Sequence, residues 1–113
     1  MIKVKTTVLL ALLFLGLVAN KAAAQQTPGL ITEVTGQGQP MVLIPGLTCP
    51  GAVWDETIIQ LGDNYEYHTI TLPGFAGNTP IKDHEGKYLE KMRDLVLDYI
   101  HEQNLKKPII VGH

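Results

Sequence analysis

The segment Pro108-Ile109-Ile110-Val111-Gly112-His113 constrains the fold more than any other stretch. Three successive β-branched residues between a proline and a glycine are too few for a helix and show no polar alternation. Such a run reads as a short strand buried on both faces, as in a parallel sheet. Met41-Val42-Leu43-Ile44 has the same character. Tyr65 to Leu72 favours strand through Tyr67, Thr69, Ile70 and Thr71, and Leu30 to Thr35 reads as a strand with partial alternation. Between Leu30–Thr35 and Met41–Ile44, Gly36-Gln37-Gly38-Gln39-Pro40 is a turn, forming either a hairpin or a sharp reversal into the next strand.

Parallel strands need crossovers, and the sequence supplies two helical patterns. Val53, Trp54, Thr57, Ile58 and Leu61 fall on one helix face, with Asp55 and Glu56 at the positive N-terminal end and Gly62 as the stop. The stronger pattern, Leu89 to Leu105, repeats Leu89, Met92, Leu95, Val96, Tyr99 and Ile100 every three or four residues. Its opposite face carries Glu90, Lys91, Arg93, Asp94, Asp98 and Glu102, and Asn104, Lys106, Lys107 and Pro108 mark its end. The order strand, strand, helix, strand, helix, strand implies an α/β fold with a largely parallel sheet flanked by helices. Ligands gather beyond the carboxyl ends of such strands. The two Gly/Pro loops, 45–51 and 73–80, fall at that edge.

Composition narrows the function by exclusion. A formal net charge of -2 gives no reason to expect nucleic acid. The single cysteine, Cys49, rules out an intramolecular disulfide and offers no thiolate cluster for a metal. No cofactor or metal is expected. The first 24 residues read as a secretory signal peptide. Lys3 and Lys5 form a positive n-region, 8–18 is an apolar core, and Ala22-Ala23-Ala24 supplies a cleavage site before Gln25. The apolar run is shorter than the ~20 residues that span a bilayer, so no stable membrane anchor is expected after cleavage. The product would be an exported protein, periplasmic or extracellular. Losing Lys3, Lys5 and Lys21 lowers the basic residues from 9 to 6 against 11 acidic ones, a charge near -5. Residues 25–113 are expected to be the N-terminal, incomplete portion of a single domain.

Val42-Leu43-Ile44-Pro45-Gly46-Leu47, then Trp54-Asp55, then Leu72-Pro73-Gly74-Phe75-Ala76-Gly77, and finally Ile109-Ile110-Val111-Gly112-His113 follow one another. In this order and at these separations the chain resembles the α/β-hydrolase superfamily, over essentially all of Leu30 to His113. The resemblance implies the N-terminal half of that fold, a hydrolytic activity and a small-molecule acyl substrate. It makes Gly46 and Leu47 the oxyanion loop, with the Leu47 N–H as one donor. It places Thr48 and Cys49 where they could line an acyl pocket. Gly112 and His113 fit the first two positions of the nucleophile elbow, G-x-S-x-G, in which glycines allow a turn too tight for side chains. Two departures are present: Pro45-Gly46 replaces the usual His-Gly, and Thr71 stands where an Asp often begins the second loop.

On this reading the sequence stops one residue before its nucleophile, and it is expected to be inactive and to fold poorly alone. The family's chain order, nucleophile, acid, histidine, places the base beyond residue 113. His68, His84 and His101 are then surface or strand histidines, and Trp54 is a packing residue of the first helix. A serine after His113 would give an acyl-enzyme hydrolase of esters, thioesters or amides, with cysteine as a variant. An aspartate would give a dehalogenase or epoxide hydrolase. Neither would leave a non-catalytic binding protein.

Overall fold

The structure, a computed structural model, describes residues 29–82 and 84–113. The expected signal peptide, 1–24, lies outside the described residues. The elements are β1 (Ile31–Gly36), β2 (Gln39–Ile44), a 3-10 turn of helix (Gly51–Trp54) leading into α1 (Asp55–Leu61), β3 (Tyr65–Thr71), α2 (Tyr88–Glu102) and β4 (Ile109–Gly112).

The four strands form one sheet in the order β1-β3-β2-β4. β2 runs parallel to both β3 and β4, while β1 runs antiparallel to β3. This settles the turn at 36–40. β1 and β2 do not form a hairpin, because β3 lies between them. The chain instead reverses sharply through Gly36 and Gly38, at φ +73° and +128°. A Cβ on Gly38 would stand 2.2 Å from the Asn64 carbonyl oxygen, so any other residue would push the two connections apart.

Alternation along the central strands builds a core on each face. Val42, Ile70 and Leu72 join Leu30 and the buried face of α2, Met92, Val96 and Tyr99. Met41, Leu43 and Tyr67 join Trp54 on the other face. Helix α2 ends as expected, with Asn104 in the left-handed region at φ +52°.

Three expectations about burial need correction. The α1 face is narrower than its periodicity implies: Trp54 is buried, but Val53 and Leu61 are exposed. Seven residues form too short a helix to lay a full stripe on the sheet. Leu89, in the first turn of α2, is 69% exposed. β4 is not buried on both faces. Among the described strands it is an edge, paired only with β2, and Ile109 and Ile110 are exposed.

One polar group inside the core was not foreseen. His68, a strand residue as expected, is buried rather than superficial. Its Nε2 lies 2.8 Å from Glu66 Oε1 and its Nδ1 2.7 Å from the Tyr99 hydroxyl, which also bonds the Thr32 side chain. Burial pushes the Tyr99 phenol up from its ordinary value; the Thr32 bond opposes this and the Glu66 charge adds to it. The chain of bonds ties α2 to β1 and β3.

Candidate active site

Because β2, β3 and β4 are parallel, their carboxyl ends open on the same edge, and the site is built there. After Ile44 the chain passes through buried Pro45 into a four-residue turn, closed by the Cys49 N–H donating to the Gly46 carbonyl at 3.1 Å. Thr48, third in the turn, has φ +75°. A type II turn requires a positive φ there and normally fills the position with glycine or asparagine. A β-branched residue in this region is strained. Leu47 is 54% exposed, and its backbone N–H makes no hydrogen bond among the described residues.

The turn is anchored at its far end. The Gly51 N–H donates to Thr71 Oγ1 at 2.8 Å in a buried bond, and the Val53 N–H donates to the Pro50 carbonyl. Thr71 thus works as an acceptor for the first loop. The second loop is organised by Asn78, whose Nδ2 donates to the carbonyls of Gly29 and Thr71. The Tyr88 hydroxyl donates to the Pro73 carbonyl at 2.8 Å, and burial pushes its phenol pKa up.

The end of β4 lies beside the turn. Ile44 and Gly112 are register partners, and the His113 N–H donates to the Ile44 carbonyl at 3.1 Å. The His113 ring lies against Gly46: a Cβ there would stand 3.0 Å from His113 Nδ1. Trp54 meets the same ring edge to face, with centroids 6.3 Å apart at 89°. Nothing lies within 4 Å of where a Cβ on Gly112 would stand.

Of the residues singled out from sequence, Gly46, Leu47, Gly112 and His113 therefore come together. Thr48 and Cys49 share the turn, with Thr48 exposed and Cys49 a half-buried free thiol. An apolar groove of about 430 Å³ runs from Leu47 and His113 along α2, past Leu72, Met92 and Val96. Neither Thr48 nor Cys49 lines it. Among the described residues no group of three His, Cys, Asp or Glu side chains is placed to hold a metal ion. Sequence reasoning missed the roles of Thr71 and Asn78 and the pairing of Trp54 with His113. Only Asn78, within a Gly-Asn turn, carried a local signal.

The topology and the turn can be set beside known proteins. No protein-family model matches the chain. The pimeloyl-[acyl-carrier protein] methyl ester esterase of Vibrio cholerae is 33% identical over 73 residues, 65% of this chain and 28% of that protein. The enzyme of the same name from Aeromonas salmonicida is 44% identical over 51 residues, 45% of this chain and 20% of that protein. A solved marine microorganism esterase superposes with a TM-score of 0.66 at 24% identity, covering 75% of this chain and 32% of that one.

The fold is that of the α/β-hydrolases.

A second solved structure, a mutant of a Pseudomonas aeruginosa protein described as an epoxide hydrolase, shares the fold at TM-score 0.63 and 20% identity. It is matched over 79% of this chain and 31% of its own. The chain thus spans about a third or less of the hydrolases it matches.

Proposed function

We propose that the whole protein is an exported hydrolase that cleaves a small carboxylic ester, thioester or amide through a serine acyl-enzyme. The observation that carries this reading is the Leu47 N–H, unpaired among the described residues and held on a strained turn beside Gly112 and His113. In acyl transfer, negative charge develops on the carbonyl oxygen as the nucleophile adds. A backbone N–H fixed in advance stabilises that charge without having to reorganise. The Leu47 N–H would be one such donor. Serine, acid and base would come from residues beyond His113, with the second donor from the residue after the serine. The methyl ester esterases among the relatives favour an ester over an amide.

The donor can be removed without removing the turn. Proline is favoured at the second position of a type II turn and lacks an N–H. In the whole protein, Leu47→Pro should lower kcat on p-nitrophenyl acetate by about 10²–10³-fold, the effect of losing one oxyanion donor. The unfolding midpoint should hardly move. An unchanged kcat would remove Leu47 from the reaction. Labelling by a fluorophosphonate tests the serine; an aspartate nucleophile would resist it and take 18O from labelled water during turnover. Export is tested by sequencing the secreted protein, which should begin at Gln25.

A further inference from the structure

Gly46 and Trp54 grip the same imidazole from two directions. The absence of a side chain at Gly46 leaves room for His113 Nδ1, 3.0 Å from where a Cβ would stand. The Gly46 φ is not positive, so nearby contacts rather than backbone conformation ask for glycine there. Trp54, only 8% exposed, is fixed in the core by Met41, Leu43 and Tyr67 and meets the ring edge to face. The His113 backbone is fixed as well, by its bond to the Ile44 carbonyl. The imidazole therefore fills the gap between a buried indole and the first residue of the turn that carries the Leu47 N–H.

We propose that His113, pinned by Trp54, is a positioning residue that sets where the Leu47 N–H stands relative to the end of β4. The proposal rests on the hydrolase reading for its purpose, because that spacing is the distance between oxyanion donor and nucleophile. Its physical content does not depend on that reading. Without the ring, the 46–49 turn has only its own 3.1 Å bond and the Thr71 anchor to define it. The strain at Thr48 would then be free to relax by moving the Leu47 peptide. Trp54 acts one step further away, through the ring, and its indole N–H has no partner among the described residues. Trp54→Phe would thus keep the aromatic wedge without breaking a hydrogen bond.

The test is a variant cycle read by the Leu47 and Thr48 amide resonances in 15N-labelled whole protein. Gly46→Ala should drive the imidazole out of its seat and shift both amides. His113→Ala should shift them as well. Gly46→Ala combined with His113→Ala should lie closer to wild type in unfolding midpoint than Gly46→Ala alone, because the clashing partner is gone. Trp54→Phe should leave the amides near their wild-type positions, and Trp54→Ala should move them in the direction of His113→Ala. His113→Gln, which keeps bulk, serves if the alanine variant does not fold, and should give a partial shift. Leu47 amide positions unchanged in folded His113 variants would overturn the proposal. Equal, additive destabilisation by Gly46→Ala and His113→Ala would overturn it too. None of these readouts requires turnover. A protein that proves not to be a hydrolase would thus fail the Leu47→Pro activity test while leaving the cycle's outcome standing on its own.

Discussion

Replacing Thr48 by glycine should make the protein more stable, although it deletes a side chain. Thr48 sits at φ +75° in a closed turn and is exposed, so its side chain buries little there. An L-residue with a Cβ in the left-handed region costs ~1–2 kcal/mol. Glycine removes that cost but adds ~0.4–1 kcal/mol of unfolded-chain entropy. The net expectation is a gain of about 0.5–1 kcal/mol for Thr48→Gly. In a whole protein of its relatives' length each kcal/mol moves Tm by roughly 2–4 °C, so the midpoint should rise by about 1–4 °C. Asparagine tolerates the same region and should give a smaller gain, whereas alanine retains a Cβ and should give little. Differential scanning calorimetry of the three variants beside wild type measures the series. A Tm for Thr48→Gly at or below that of Thr48→Ala would refute the strain argument. The strain also has a functional side. If the whole protein is the hydrolase proposed, a relaxed turn holds the Leu47 amide less firmly and the stabilised variant should turn over esters more slowly than wild type.

Thr71→Val keeps shape but leaves the buried Gly51 N–H without its 2.8 Å acceptor. It should cost about 1–3 kcal/mol in urea unfolding, and Thr71→Ser should recover most of that. Tyr99 makes stability sensitive to alkali. Burial, chiefly, raises its folded pKa above the ordinary value of ~10. Above that pH the unfolded chain loses the phenolic proton first, so it binds fewer protons than the folded one. Stability must then fall as pH rises through this range. Urea midpoints between pH 9 and 11 should decline less steeply in Tyr99→Phe than in wild type. At neutral pH the same variant should lose about 1–3 kcal/mol, because His68 Nδ1 loses its 2.7 Å partner.

Elements with a strong local cause could be read from the residues. The apolar runs became β2 and β4, the three-to-four repeat became α2, and Gly62 and Asn104 ended helices where the pattern stopped. The edge that gathers both Gly/Pro loops followed from parallel pairing. Features set by partners distant in sequence could not be read. Nothing local indicates that β3 rather than β2 takes β1, since both are adequate strands and the choice lies in long-range pairing. His68 looked like any strand histidine, because its burial depends on Tyr99, 31 residues on. The site divides in the same way. The Gly46–Cys49 turn was visible as a Gly/Pro-rich loop, but the strain at Thr48 depends on its backbone angle and the Trp54–His113 contact on packing between two loops.

The sheet order bears on the sequence of events as the polypeptide is made. Ile31 to Gly36 pair with Thr71 to Glu66, and β2 pairs only with β3 and β4. Each strand pairing therefore waits for residue 65 or later. A nascent chain that has emerged as far as α1 carries two finished strands and not one rung of the ladder. Only the arrival of β3 recruits both at once, in register, with a loop of about 30 residues to close for β1. Pairings between residues this far apart in sequence slow folding. A ribosome would thus release residues 31–64 as strands without partners.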